Sequence, residues 1–161
     1  APGNYDVVIT ADGNAASVVG AVPVATTSSI TTLSTAAAPI NLVAGANGSI
    51  SGTATTTPAS TTEPVFVAAK QTFAAGPTVT IRYQGADLTT GAYTIANLPV
   101  AAPQYSVYSA TLPLVFAPNL TTLGAGKYML EAAATGYTAK SMPLVDISVA
   151  NQTNVNFALL P

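Results

Sequence analysis

The side chains that could perform chemistry are few and scattered in this chain. Its 161 residues include no histidine and no cysteine, which removes the commonest general base, the thiol nucleophile and the thiolate metal ligand. The six carboxylates are Asp6, Asp12, Glu63, Asp87, Glu131 and Asp146. No two of them lie within three residues of each other, so no local pair suggests acid–base catalysis. We therefore expect a protein that is not an enzyme and holds no cofactor.

The sequence lacks the residue clusters that typically bind metal ions or nucleic acids. Asp12-Gly13-Asn14 is the nearest approach to a calcium loop, but calcium takes several oxygen ligands at close spacing and this tripeptide is typical of an ordinary turn. The basic residues Lys70, Arg82, Lys127 and Lys140 form no phosphate-neutralising cluster. No run reaches the roughly 18 apolar residues of a spanning helix. We expect no metal, no nucleic-acid partner and no membrane span.

The composition is compatible with sugars in two roles, as covalent modifications and as bound ligands. Sequons for N-glycosylation occur at Asn47, Asn119 and Asn151. An aromatic sugar-binding platform has six candidate tyrosines, Tyr83, Tyr93, Tyr105, Tyr108, Tyr128 and Tyr137. Core-edge positions are the commoner role of such residues.

The surface carries unusually little charge. Charged residues make up 6% of the chain and apolar residues 49%, with a net charge of -2, whereas a typical soluble domain has about 25% charged residues. Such a surface offers little repulsion between copies and favours association. The chain opens on Ala1-Pro2-Gly3 rather than methionine, which favours release from a precursor. We expect an extracellular or cell-surface location.

Apolar–polar alternation with many β-branched residues predicts strands along the whole chain. No window has the spacing and caps of a helix. Strands are predicted near residues 5–10, 16–24, 30–33, 39–43, 49–55, 65–69, 78–83, 91–98, 105–110, 114–116, 127–133, 137–149 and 155–159. The expected fold class is therefore all-β.

An internal repeat is the most informative pattern in the sequence. Gly3-Asn4-Tyr5 aligns with Gly126-Lys127-Tyr128, and the same offset pairs Gly13 with Gly136. Several predicted strands precede the second copy, whereas almost none precede the first. The chain is thus expected to divide into residues 1–45, a partial β-sandwich that is the back half of a repeat, and residues 46–161, a complete sandwich.

The partial unit is expected to expose an apolar face and unpaired strand edges, which are costly in water and prone to association. The candidate assembly surface consists of Val7, Ile9, Val18, Val22, Ile40 and Leu42. Another copy or a precursor segment is expected to cover this face by β-strand addition between chains. The alternative is that residues 1–45 pack on the second unit as one enlarged sandwich.

The second unit resembles a known family. The residues that carry the resemblance are GSISGT (48–53), VFVAA (65–69), GAYTIANLP (91–99), GKY (126–128) and VNFAL (155–159). They resemble the carboxypeptidase regulatory-like domain, a transthyretin-like and immunoglobulin-like β-sandwich. The resemblance implies this sandwich for residues 46–161 and an incomplete copy at the N-terminus, with no catalytic residues to transfer. Residues 100–125 interrupt the family pattern, as an inserted hairpin or an additional contact surface.

These patterns favour a structural role. We expect a subunit of an extracellular filament, fibre or surface layer, in which copies of the chain form a homopolymer through strand complementation and apolar contacts. The alternative is a carbohydrate-binding or adhesion module of a multidomain surface protein, with glycans as its partners.

Overall fold

The fold is all-β throughout the part of the chain that the structure describes. The structure is a computed structural model and describes residues 1–26, 30–73, 77–118 and 123–161. These residues form eleven strands and no helix. The strands are β1 (Gly3–Ile9), β2 (Ser17–Val24), β3 (Asn47–Thr56), β4 (Phe66–Thr72), β5 (Thr78–Gly85), β6 (Ala92–Pro99), β7 (Gln104–Val107), β8 (Ala117–Pro118), β9 (Lys127–Ala133), β10 (Lys140–Asp146) and β11 (Phe157–Leu159). The all-β class predicted from the sequence is confirmed.

Seven of these strands build a sandwich-like pair of sheets. One sheet has the order β10-β9-β4-β5 and the other β11-β3-β6. Alternate residues of β9 face the core, so that Tyr128 and Leu130 are fully buried and the residues between them are not. Ile50 on β3 and Leu159 on β11 belong to the same core cluster. Burying one large apolar side chain stabilises a fold by about 1.5–3 kcal/mol, so this shared cluster holds the two sheets together.

Strand β3 makes a close backbone approach to the segment before β11. The N–H of Val155 donates a hydrogen bond to the carbonyl of Ser51 over 3.1 Å, and the buried Tyr93 hydroxyl donates to the Val155 carbonyl over 2.7 Å. Burial raises the pKa of Tyr93 to about 12, which keeps this donor protonated. A Cβ atom added at Gly52 would lie 2.0 Å from the same carbonyl oxygen. Only glycine permits this crossing.

The N-terminal hairpin belongs to a third sheet, which takes strands from residues 100–125. The order of this sheet is β1-β2-β7-β8. Strand β7 pairs with β2 in parallel, with Val18 opposite Tyr105. The segment that interrupts the family pattern therefore covers one edge of the hairpin within the same chain. Strand β1 lies at the end of the sheet.

One face of the N-terminal hairpin packs on the second unit. Ala16 and Val18 are fully buried in the same core cluster as the sandwich. Tyr105 of β7, the strand that pairs with the hairpin at Val18, stacks its ring on that of Phe73 with 4.9 Å between ring centroids, which ties the partner strand of the hairpin to the core. An aromatic pair of this kind adds about 0.5–1.5 kcal/mol beyond the area it buries. Residues 1–45 are therefore joined to the rest of the chain through packed side chains as well as through strand pairing.

Two predicted strands, at residues 30–33 and 39–43, do not form. Residues 30–43 contain no strand, and only the neighbouring Ala44 makes an isolated bridge, to Asn14. Both copies of the repeat end on an apolar alternation, Ile40/Leu42 in the first and Phe157/Leu159 in the second, and the second of these forms β11, which pairs in parallel with β3. No counterpart of β3 accompanies residues 39–43 among the described residues, so their backbone has no ladder to join.

Replacing Gly52 with alanine is expected to destabilise the sandwich strongly. The added methyl group must displace a backbone carbonyl, which cannot rotate away as a side chain can. We expect Gly52→Ala to lower the free energy of unfolding by about 3 kcal/mol. Urea unfolding followed by circular dichroism measures this change.

Gly85→Ala is the matched control on β5. A Cβ atom there would lie 3.4 Å from the Phe66 ring and 3.5 Å from the Pro64 side chain, at ordinary contact distances, so we expect a change within about 0.5 kcal/mol. Equal losses in the two variants would contradict the role of the backbone crossing.

Candidate assembly surface

The N-terminal hairpin β1–β2 and the hairpin β9–β10 are two copies of one structure. Tyr5 is the strand partner of Val22 in the first hairpin, and Tyr128 is the partner of Val145 in the second. Each residue of the second pair is numbered 123 higher than its counterpart in the first. This is the offset that aligns the sequence repeat, so the repeat is structural as well.

Both hairpins carry a bulge at equivalent positions. In each, the register shifts directly after the tyrosine–valine pair. A one-residue slip would turn every following side chain to the opposite face, so the shared shift is a strict sign of equivalence. In the first hairpin, the Asp6 carboxylate accepts a hydrogen bond from the N–H of Ala21 over 3.2 Å. Ala21 adopts a φ of 59° there, and the bond stabilises this strained backbone.

Equivalent faces of the two hairpins differ in burial. Tyr128 and Leu130 of the second hairpin are fully buried in the core. Their counterparts in the first hairpin are Tyr5, which is 42% exposed, and Val7, which is half-buried, as is Ile9 on the same face. The first hairpin thus leaves partly open the face that the second hairpin closes.

The missing element is the neighbour of β1. In the second hairpin, β4 pairs antiparallel with β9, placing Val67 opposite Ala132 and Ala69 opposite Leu130. Within the described ranges, no strand pairs with the outer edge of β1, which ends its sheet. Unpaired backbone groups on such an edge form a template for another strand.

The open edges of the two hairpins are protected differently. Strand β10 ends its sheet and carries Lys140 and Pro143, two residue types that block pairing on exposed edges. Strand β1 contains neither lysine nor proline. The β1 edge therefore has Asp6 and a bulge but neither of the two residue types found on the β10 edge.

A cleft of about 590 Å³ lies between β1 and β5. Its lining residues are Val8, Thr10, Thr80, Ile81, Arg82 and Tyr83. Side chains on its walls are apolar or short and neutral, apart from Arg82. Because β5 also ends its sheet, the cleft separates two strand edges that no described strand covers.

The six residues of the expected assembly surface do not form one face. Val18 and Val22 are 0% and 4% exposed, so contrary to the sequence expectation they do not lie on an open surface. The reason is that β7 covers the edge of β2 and the sandwich core covers Val18. Val7, Ile9, Ile40 and Leu42 are half-buried, and assembly through these four stays a prediction.

Asp12 connects the turn of the first hairpin to the second unit. One carboxylate oxygen lies 2.7 Å from a guanidinium nitrogen of Arg82, and the other accepts a hydrogen bond from the Asn97 side chain over 2.9 Å. Arg82 also donates to the Asn97 carbonyl over 3.0 Å. Both carboxylate oxygens of the nearest candidate for a calcium ligand thus have protein partners. The described residues hold no group of three or more acidic, histidine or cysteine side chains suited to a metal ion.

Two other carboxylates bind the backbone of their own turns. The N–H and hydroxyl of Thr90, with the N–H of Thr89, hold the pKa of Asp87 below its usual value. The hydroxyl and N–H of Ser148 do the same for the pKa of Asp146, with a smaller effect from Lys127. These bonds stabilise the charged carboxylates in turns and assemble no acid–base pair.

Of the candidate sugar-binding tyrosines, Tyr83 is the one that is largely exposed, at 69%. Tyr93, Tyr105 and Tyr128 are buried. Burial raises the pKa of Tyr128, against a smaller opposing effect of the Arg82 charge. The two half-buried tyrosines are Tyr108 and Tyr137.

The three sequons differ in what the structure shows of them. Asn47 is exposed at the start of β3. Asn151 is exposed, and its side-chain oxygen accepts a hydrogen bond from the N–H of Ser49 over 2.9 Å. Asn119 lies outside the described residues. Glycosylation at these positions stays a prediction.

Sequence reasoning missed Tyr5 as part of the open face. The signal was available, because the repeat offset already aligns Tyr5 with Tyr128. No helix in the described part of the chain is long and apolar enough to cross a membrane.

Comparisons of the chain with protein-family models, with curated proteins and with solved structures found no match. The resemblance to the carboxypeptidase regulatory-like domain therefore stays a prediction from the sequence motifs.

Asp12→Ala is expected to loosen the N-terminal hairpin only slightly. The Asp12 side chain is 64% exposed, so water screens its ion pair and we expect a loss of about 1 kcal/mol in the free energy of unfolding. Thermal unfolding at low salt measures the loss, which should shrink in 1 M NaCl because salt screens exposed charges.

Glu63→Ala, at an exposed carboxylate that forms no salt bridge within the described ranges, is the control. A loss from Asp12→Ala that is no larger than in this control, or that is independent of salt, would contradict a stabilising role of the ion pair between Asp12 and Arg82.

Proposed function

We propose that this protein is a structural subunit of an extracellular assembly, such as a filament, fibre or surface layer, held together by β-strand complementation and apolar contacts. The observation that carries the proposal is the difference between two copies of one hairpin. Strand β4 closes the edge of β9, whereas no strand of the described residues pairs with the equivalent edge of β1. A strand from a neighbouring polypeptide that pairs with β1 would complete the first copy as β4 completes the second.

The apolar part of this contact is the face that the second hairpin buries. Tyr5, Val7 and Ile9 lie on it and are exposed or half-buried. An added strand would contribute side chains that cover them, and each CH2 group removed from water contributes about 0.8 kcal/mol. The neighbour that supplies the strand is another copy of the chain or a segment of its precursor.

The composition supports an assembly outside the cell. A surface with 6% charged residues and a net charge of -2 sets up little repulsion against close packing of neighbours. The scattered carboxylates and the absence of histidine and cysteine support a role without catalysis. The Thr- and Ser-rich sequence, free of cysteine, suits a surface protein that does not depend on disulfides.

Val7→Lys is expected to block association of copies. A charge that points inward on an open edge strand is a known barrier to edge-to-edge pairing. We expect the unaltered chain to form species well above its 16.0 kDa monomer mass at high micromolar concentration, and Val7→Lys to stay monomeric. Size-exclusion chromatography with light scattering, and electron microscopy of the same samples, measure this.

Val149→Lys is the matched control, since Val149 is 95% exposed in the bend that follows β10 and the variant should associate as the unaltered chain does. A monomeric unaltered chain, or association that Val7→Lys leaves intact, would refute assembly of copies through this edge.

Carbohydrate binding is a second candidate, favoured by one exposed aromatic pair. The rings of Phe66 and Tyr83 lie 6.3 Å apart at their centroids, in an edge-to-face arrangement. They border a shallow depression that also contains Lys70 and Glu131, paired at 2.6 Å. Aromatic faces beside charged hydrogen-bonding groups can hold a sugar ring.

Tyr83→Ala separates this second function from the first. If the aromatic pair binds glycans, we expect a glycan array to detect sugars bound by the unaltered chain, with at least tenfold weaker binding after the substitution. Association through β1 should be unchanged in Tyr83→Ala. Absence of glycan binding by the unaltered chain would exclude the second function.

A further inference from the structure

We infer that the outer face of β4, β5 and β9 and the cleft beside it together bind an uncharged oligosaccharide of two or more rings, which packs against Tyr83. This inference rests on the second candidate function, carbohydrate binding, and names the class of ligand. The surface consists of the cleft between β1 and β5 and of the shallow depression lined by Phe66, Ala68, Lys70, Thr80, Tyr83, Glu131 and Ala133.

The strand register explains why a depression forms on this outer face. Ala68 on β4 lies opposite Tyr83 of β5 on one side and opposite Glu131 of β9 on the other, so a methyl group stands between two longer side chains. Phe66, which points to the same face because it is two residues earlier, lies opposite Ala133. The two alanines therefore form the floor, and the rings of Phe66 and Tyr83 form a wall.

The two aromatic rings offer the apolar part of the site. Phe66 is 48% exposed and Tyr83 is 69% exposed, so both rings are available to a ligand. A hexose ring with equatorial substituents has an apolar face of C–H groups, which packs on an aromatic ring, and a polar rim of hydroxyls. The depression has a volume of about 320 Å³, at the lower end of the range for small-molecule sites, so it holds about one such ring.

The cleft continues this surface on the other side of Tyr83. The cleft and the depression share Thr80 and Tyr83 among their lining residues. A second ring linked to the first therefore lies over the opening of the cleft, beside Val8 and Thr10 of β1. Because this ring lies on the surface and not between the strands, β1 and β5 keep their separation.

Charge selects an uncharged ligand. Among the described lining residues, the charged side chains are already paired within the protein, Lys70 with Glu131 at 2.6 Å and Arg82 with Asp12 at 2.7 Å. A charged sugar would have to compete with these pairs, whereas a neutral sugar binds beside them. The surface therefore lacks the unpaired charge that would complement an acidic or basic glycan.

Free hydroxyl groups lie along the same path. The hydroxyls of Thr10, Thr80 and Tyr83 make no hydrogen bond to another described residue, and all three residues are exposed. Each of them both donates and accepts, as a sugar hydroxyl does. A surface this open favours equatorial 1,4 linkages, because these keep successive rings in an extended ribbon with their faces accessible.

The test measures binding of the full chain to uncharged β-1,4-linked oligomers of glucose, mannose and N-acetylglucosamine, one to five units long, by isothermal titration calorimetry. In the series that binds, we expect the affinity to rise about tenfold from one unit to two and to change little beyond three. Oligomers of β-1,4-linked mannuronic acid are the charged comparison and should bind more weakly. Binding of the neutral trimer should change less than about twofold between 0.05 and 0.5 M NaCl, because no net charge takes part.

Three variants locate the ligand on the surface. Tyr83→Ala removes the shared ring, and Ala68→Leu fills the floor of the depression, so each should weaken binding of the trimer about tenfold. Thr10→Val, on the side of the cleft, should weaken binding of the trimer about threefold and leave binding of a single unit unchanged. Leu144→Ala is the control, since Leu144 is 53% exposed on β10 and lines neither the depression nor the cleft.

The outcomes separate this inference from the functions proposed above. Single units bound as tightly as trimers, or mannuronic acid oligomers bound more tightly than neutral ones, would overturn the inference and leave carbohydrate binding intact. Loss of association between copies in Tyr83→Ala would show that a second copy occupies this face and would also overturn it. Absence of binding by every oligomer would reject the inference together with the second candidate function, whereas assembly through β1 is decided separately by Val7→Lys.

Discussion

Backbone groups on the edge of a strand can be satisfied by pairing with a neighbouring strand, and among the described residues no strand does for β1 what β4 does for β9. Strand β4 satisfies β9, and its absence at β1 explains most of what is unusual in the N-terminal region. The partial exposure of Tyr5 follows from it. The lack of strand structure in residues 39–43 has a separate reason, because β11 pairs with β3 and no described strand takes the place of β3 beside these residues.

The N-terminal hairpin keeps its place through contacts that the second hairpin does not use. Strand β7 pairs with β2 on the side away from the open edge, and Tyr105 stacks on Phe73 in the shared core. Asp12 and Arg82 fix the turn at the far end. These contacts hold β1 in strand geometry while its outer edge stays open, which is the preorganisation that favours pairing with an added strand.

The sequence was sufficient for the features that depend on local pattern. Alternation predicted the all-β class, and the constant offset between Tyr5 and Tyr128 predicted a repeat that the register now shows in detail. The burial of Val18 could not be predicted in this way, because it depends on the distant strand containing Tyr105. Parallel pairing between segments so far apart leaves no periodic signal in either one. The same limit applies to the contact between Asp12 and Arg82.

The lysine and proline on β10 limit the number of strand edges through which the molecule can link to neighbours. Lys140 and Pro143 obstruct pairing at β10, whereas β1 carries neither residue type. Of the two hairpins, the first is therefore the one whose sheet can be extended by hydrogen bonding to an added strand. A long polymer that uses this edge must draw its second linkage from a different surface, and the edge of β5, which also ends its sheet, is one such surface.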